Sequence, residues 1–511
     1  MIMKILHGLL IAQCMISAAV FGQQPWASPK SRRLLQQTLA DCLAPSGARL
    51  VYPTDSDYES ARGHVYNHRY LYNPAVFVFS TTTAHVQSAV QCAVQLNLGI
   101  APRSGGHSYE DYSLGGRDGI IVVDLEGLNA VTLDSGSGIA SVGGGTRLGP
   151  LKLALWEQGQ VTIPSGTCPS VGVGGHSLGG GWGFVARKWG LMADSLVAAE
   201  LVTANGTLVT ASASQNSDLL FALKGAGANS FGIVTTFFFT TYAVSDAVTY
   251  FNYDYGGNSS ADDQALTLRA FQAWGAGATK DVSASLFQAP SGGNFFWGVF
   301  LGRKADLKGA LQTFFDGAPV PSYGTTTELE VDYIRSVVIN AGFAESDPIS
   351  VLSLQDFTYE SRFFKSKSIF VKGAGWPEAG IQAYVSALRQ GPSFGQQSGA
   401  YMIMDLFGGG DSVINSVPSA STGFVHRDSL YSIQMFTYWD GPQDDTADIS
   451  WIQGIWNTVR PYSSAEAYQN YIDSDMPVSA YYASNLDALK AVKRRWDPSN
   501  IFNFPKSIPL N

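Results

Sequence analysis

Two short glycine-rich segments, each carrying a nucleophilic side chain, restrict this chain of 511 residues more than any other feature. The first reads Arg103-Ser104-Gly105-Gly106-His107-Ser108-Tyr109. The second reads Gly166-Thr167-Cys168-Pro169-Ser170-Val171-Gly172-Val173-Gly174-Gly175-His176. Gly105, Gly106, Gly172, Gly174 and Gly175 let the backbone come close to a bulky ligand and turn its N–H groups toward phosphate. An imidazole and a thiol held beside a ligand in this way can be metal ligands, a catalytic pair or two points of covalent attachment. Zinc held by His107, Cys168 and His176 is the main chemical rival, but none of the three falls in a Cys-x-x-Cys or His-x-x-x-His spacing. His176 reads as a hydrogen-bonded structural histidine of the loop, and no metal is expected.

Length makes two domains the starting expectation. Hydrophobic residues at 45% against 14% charged, with 55 glycines, indicate a packed, loop-rich globular protein rather than a disordered one. A net charge of −9 without a basic run argues against a nucleic-acid partner. At the N-terminus, Lys4 precedes an apolar run from Leu9 to Phe21 that ends in small residues near Gly22. This pattern predicts a signal peptide over residues 1–22, too short to span a bilayer, and hence a secreted, extracellular chain. No later stretch reads as a membrane span. Sequons at Asn205 and Asn258 suit export.

Apolar spacing predicts helices over Arg32–Leu43, Thr83–Leu96 and Leu148–Gln158. Short strands are expected at Val76–Phe79, Ile100–Arg103, Ile120–Val123, Ala130–Leu133 and Ile139–Val142. A hairpin is expected around Ala204-Asn205-Gly206. The glycine loops open no helix in G-x-G-x-x-G spacing, so a dinucleotide-binding βαβ unit is not expected. From about Thr240 the chain becomes richer in aromatics and alternating strands.

The two loops, the Gly179-Gly180-Gly181-Trp182-Gly183 run and the C-terminal stretch Tyr481–Leu510 together resemble the berberine-bridge-enzyme-like branch of the flavin oxidases that share the vanillyl-alcohol-oxidase fold. The resemblance covers nearly the whole chain after the signal. It implies an α+β architecture: an FAD-binding domain over 23–240, a substrate domain over 241–463 built on an antiparallel sheet covered by helices, and a segment 464–511 returning to the FAD domain. It also implies FAD bound covalently, with His107 on the flavin 8α carbon and Cys168 on C6. Arg103, Ser104, Gly105, Gly106, Ser108, Val171, Gly172, Gly174, Gly175, His176 and Ile233 would surround the cofactor. A small β-branched residue at Val171 leaves space for oxygen in such enzymes, and Leu220–Val234 resembles their segment closing over the flavin. Related oxidases carry a disulfide whose contexts match Cys42 and Cys92. With Cys14 leaving in the signal and Cys168 on the flavin, that pairing accounts for every thiol.

The same resemblance makes Tyr471, in Asn470-Tyr471-Ile472-Asp473, the base that takes a proton from a sugar hydroxyl. A free phenol titrates near pH 10, so the site is expected to stabilise phenolate. Asp405 resembles the acidic partner, and Gln434 and Tyr401 fall at substrate-binding positions. Tyr401 and Ile403 depart from the pattern of sugar-oxidising relatives, which have a larger aromatic and a glutamine there. The implied activity is oxidation of the reducing-end C1 hydroxyl of a mono- or oligosaccharide to a lactone, with O2 reduced to H2O2. Oxidation of an aromatic alcohol or alkaloid, and sugar binding without turnover, are the competing readings.

Overall fold

The run Val76-Phe77-Val78 is buried throughout, as expected of a strand covered on both faces. In the computed structural model, which describes residues 29–245, 247–353, 362–393 and 398–511, it is the centre of a four-stranded sheet. The expected signal peptide over 1–22 lies outside the described residues. Val76–Phe79 and Ile100–Arg103 flank Ile121–Asp124 in parallel, and Arg49–Val51 adds an antiparallel edge. The crossover helix is Thr83–Leu96, where the Thr82 side chain accepts from the His85 N–H and Asn97 ends the helix at φ 52°. Cys42, on the helix Pro29–Leu43, is disulfide-bonded to Cys92 on this crossover helix. Closing a loop of 50 residues contributes about 4 kcal/mol on the chain-entropy account.

A second, five-stranded antiparallel sheet follows in the order Val131–Asp134, Ile139–Gly143, Ile233–Thr240, Leu196–Val202, Leu208–Ser212. Its last two strands form the expected hairpin, with Gly206 at φ 79° in the turn. One local difference from the sequence reading is the six-residue helix Val173–Leu178 directly after Gly172. Gly172 stays extended (φ −75°, ψ 133°) and lets the chain enter the helix at once.

The third sheet has seven antiparallel strands, in the order Thr325–Val331, Val248–Asp254, Asn294–Phe300, Val282–Gln288, Gly399–Leu406, Ser429–Trp439, Phe363–Lys372. Side chains alternate across such a sheet. Met402, Met404, Ile433 and Met435 therefore pack into one core with Phe271, Phe314, Tyr384 and Ile452 of the covering helices. Tyr401, Ile403, Asp405, Gln434 and Phe436 stand on the opposite face, which Tyr109 and Tyr471 approach. Among the described residues, no helix is long and apolar enough to cross a membrane.

Candidate active site

The two glycine loops meet backbone to backbone. A Cβ on Gly105 would lie 2.2 Å from the Gly172 nitrogen, and one on Gly172 would lie 2.2 Å from the Gly105 nitrogen. Glycine at these two positions thus serves contact between the loops, a role the sequence reading did not name, and both also line the cavity beside them. Gly106 takes φ 73°, a left-handed conformation costly for side-chain-bearing residues. Ser104 ties the loops further, its Oγ donating to the Gly144 carbonyl at 2.8 Å and accepting from the Gly174 N–H at 3.3 Å. Gly175 differs: nothing lies within 4 Å of its would-be Cβ.

The joined loops form one wall of an elongated cavity with about 1360 Å³ of empty space, its open mouth included. Ser104, Gly105, Gly106, His107, Ser108, Cys168, Val171, Gly172, Gly174, Gly175 and His176 all line it. Ala228, Asn229, Gly232 and Val234 close one side, and Gln469, Asn470, Tyr471, Ile472 and Phe504 come from the C-terminal segment.

Two expected cofactor residues lie elsewhere. Ile233 is buried among Val202, Leu125 and Ile501. Strand alternation turns it away from the cavity that its neighbours Gly232 and Val234 line. Arg103 is sealed in the first sheet, its Nε 2.6 Å from Asp124 Oδ2, its Nη1 donating to the Ala61 carbonyl at 2.5 Å and its guanidinium over Phe77. It holds the strand that delivers the loop.

The half-buried His107 ring stacks on Tyr66 with centroids 4.7 Å apart. Desolvation, reinforced by Arg147 and His64, lowers its imidazole to about 3, so the ring is neutral near pH 7. His176 is lowered to about 3 by burial and by Lys152, and its Nε2 accepts from the Gly166 N–H at 2.9 Å. Among the described residues, no group of three or more His, Cys, Asp or Glu is arranged to hold a metal. Cys168 is exposed and outside the disulfide. Below it, buried Lys152 donates to the Gly166 carbonyl.

Five buried polar atoms test what the cavity is built for. Ser113 Oγ, both amide atoms of Asn229 and both of Gln469 have no hydrogen-bond partner within the protein, and all three residues line the cavity. Buried polar groups are normally satisfied. A long ligand with donors and acceptors along its length, such as FAD, answers them. His107 and Cys168 would hold its ring system, and Ser113, Asn229 and Gln469 its polar groups. These three escaped the sequence reading because they stand outside any recognisable motif.

At the Tyr471 end the wall becomes a hydrogen-bonded network. Tyr471 Oη donates to Asp405 Oδ2 at 3.1 Å, and Ser285 Oγ donates to Asp405 Oδ1 at 2.7 Å. Ser285 faces Asp405 in the strand register, a pairing the sequence reading missed. Gln434 Nε2 donates to Tyr109 Oη at 2.5 Å, and the Tyr109 and Tyr471 rings stack 5.7 Å apart at 9°. Tyr401 stacks on Phe436 and Phe287. Burial raises Asp405 to about 6, against the hydrogen bonds from Ser285 and Tyr471. Burial also pushes the Tyr471 phenol well above its ordinary range, and Asp405 adds to the rise. The expected phenolate is therefore not the resting form. Tyr471 is a phenol donating to a carboxylate.

The fold and this cavity define a flavin-dependent oxidoreductase. A family model described as an FAD binding domain matches residues 74–212, and one described as berberine and berberine like matches 467–509. The chain is 31% identical to a chitooligosaccharide oxidase of Gibberella zeae over 94% of this chain and 96% of that one. The solved structure of Physcomitrella patens BBE-like 1 superposes with a TM-score of 0.88 at 47% identity, covering 93% of this chain and 99% of that one. A glucooligosaccharide oxidase from Acremonium strictum, described with a 6-S-cysteinyl, 8α-N1-histidyl FAD, superposes at 0.84 with 28% identity over 92% and 99%. The chain belongs to the berberine-bridge-enzyme-like FAD-linked oxidases of the vanillyl-alcohol-oxidase fold.

Proposed function

We propose that this protein is a secreted oxidase of the reducing-end C1 hydroxyl of a mono- or oligosaccharide, with FAD attached through both His107 and Cys168. The hydrogen bond from Tyr471 to Asp405 at the cavity wall carries this reading. FAD held there by His107 and Cys168 would supply a hydride acceptor for C1 and a route for the two electrons to O2, giving H2O2. Tyr471 Oη takes the hydroxyl proton as its own proton passes to Asp405 Oδ2, so no free phenolate has to exist. Asp405, with an affinity near pH 6, is ionised and ready to receive that proton at neutral pH. Ser285 keeps the carboxylate aimed at Tyr471. Gln434 and Tyr109, hydrogen-bonded to each other, bind and orient the sugar on this reading. The product is a lactone, which water opens to an aldonic acid.

For attachment, the neutral His107 ring is the nucleophilic form, and the exposed Cys168 thiol faces the same cavity. Oxidation of an aromatic alcohol stays a second reading because Ile403 and the stacked rings of Tyr401, Phe436 and Phe287 add an apolar patch beside this polar network. Anaerobic mixing with panels of sugars and aromatic alcohols separates the two. Bleaching of the flavin by sugars supports the first reading, and bleaching by aromatic alcohols alone replaces it with the second. Acid-denatured protein should stay yellow, with flavin on peptides containing His107 and Cys168. His107→Ala or Cys168→Ala should each leave one link, and complete release of flavin from wild type would refute double attachment.

A further inference from the structure

Tyr109 and Tyr471 belong to segments far apart in the chain, yet their rings stack nearly parallel. Beside this stack lies a buried ion network. Lys365, on the edge strand Phe363–Lys372, is 2% exposed. Its ammonium has three donors. They go to Asp473 Oδ1 at 2.5 Å, Glu110 Oε1 at 3.1 Å and Ser474 Oγ at 3.3 Å, and Asp475 Oδ2 makes a further ion pair at 3.2 Å. Glu110 directly follows Tyr109, Asp473 stands two residues after Tyr471, and Glu110 Oε1 also accepts from the Ser474 N–H at 3.1 Å. Lys367, 1% exposed on the same strand, reaches Asp473 Oδ2 at 2.7 Å and Asp475 Oδ2 at 3.0 Å. Both of its carboxylates lie on the C-terminal segment. Lys365 bridges the two tyrosine-bearing segments, and Lys367 braces one of them.

We propose that Lys365 is a positioning residue for substrate oxidation: by holding Glu110 and Asp473 on one ammonium, it sets the stack of Tyr109 on Tyr471. The stack in turn places the two phenol oxygens that face Gln434 and Asp405. The Coulomb and hydrogen-bond contacts are short and desolvated, so the geometry they impose is stiff. This inference rests on Tyr471 and Tyr109 acting as proposed above.

Lys367 supplies a matched control, since Lys365→Met and Lys367→Met each remove one buried ammonium from the same strand. Both variants, prepared as flavin-loaded full-length protein, should lose comparable thermal stability. A misplacement of about 1 Å can cost on the order of 100-fold in rate. Limiting anaerobic flavin reduction should therefore fall at least about tenfold in Lys365→Met and stay within about threefold of wild type in Lys367→Met. Glu110→Gln, which keeps its volume, should slow reduction in the same way, and it serves if Lys365→Met does not fold. Equal slowing in the two lysine variants would overturn the assignment. Crystal structures give a readout free of substrate: the ring stack should be lost in Lys365→Met and kept in Lys367→Met. An intact stack in Lys365→Met defeats the inference whatever the substrate is. Wild-type flavin that no sugar bleaches defeats the sugar reading alone.

Discussion

The two ends of the cavity handle charge in opposite ways. Around the two glycine loops, burial works against it: His107 and His176 are lowered to about 3, and Lys152 to about 8. Both imidazoles are then neutral near pH 7, and the cations left beside them, Lys152 and Arg147, act against their protonation. Around Tyr471, charge is kept and organised. Lys365 is pulled down by desolvation, but Asp473 and Glu110 outweigh that and hold the amine above the usual lysine range. Asp405 is poised near 6 between Ser285 and Tyr471. Bond formation to an electrophilic ring needs a neutral imidazole, whereas proton transfer needs an acceptor ionised at the working pH. On the proposed reading one cavity can serve both, because desolvation acts at each end and the partners there differ.

The most severe test of this contrast is Tyr471→Phe, which removes the phenol oxygen and keeps the ring. Anaerobic flavin reduction by the best sugar should fall by about 10²–10⁴-fold while flavin content stays normal. A rate within about threefold of wild type would mean that the network is structural and the base lies elsewhere.

Asp405→Asn comes next, because the retained charge is costly. The folded-state value of about 6 lies above the ordinary 3.8, so the protonated form is the one that favours the fold. Its stabilising contribution is complete below pH 4 and is lost as pH rises through 6, a difference of about 3 kcal/mol. The substituted amide has no such titration, so melting curves from pH 4 to 8 should show the variant gaining on wild type as pH rises. Wild-type flavin reduction should decline below pH 6, where Asp405 takes up a proton.

The attachment end is sharpened by a glycine pair. Gly172→Ala drives a methyl group into the backbone of Gly105 and should destabilise by about 1–3 kcal/mol, read from chemical denaturation. Gly175→Ala meets open space on the cavity wall, so stability should hold, and flavin incorporation should fall on the reading that FAD fills that space. Normal flavin loading of Gly175→Ala would redraw that wall. The smallest effect is expected for Gln434→Ala, which removes one hydrogen bond to Tyr109 and should weaken sugar binding by about 0.5–1.5 kcal/mol with little change in the limiting rate.

Much of the attachment end was legible in the residues themselves. Glycine records a backbone constraint at the position where it acts, and His107, Cys168 and their flanks keep that record in two continuous runs. The helix Thr83–Leu96 and the hairpin at Gly206 were readable for the same reason, through local periodicity and turn chemistry. Arg103 and Ile233 show the limit. Each adjoins cavity residues in sequence, but strand geometry decides which neighbour faces the ligand, and both face the core.

The sequence alone determined the local conditions: where the backbone is left bare, where a nucleophile stands, and which segments are strands or helices. Tertiary structure alone decided the partnerships. Tyr471 meets Asp405 across 66 residues, Gln434 meets Tyr109 across 325, and Lys365 meets Glu110 across 255. The orphaned amides of Asn229 and Gln469 acquire meaning only when the cavity closes around them. A side chain's hydrogen-bond partner and its desolvation depend on sheet register and on how separate segments pack. Those quantities do not exist until the chain has folded.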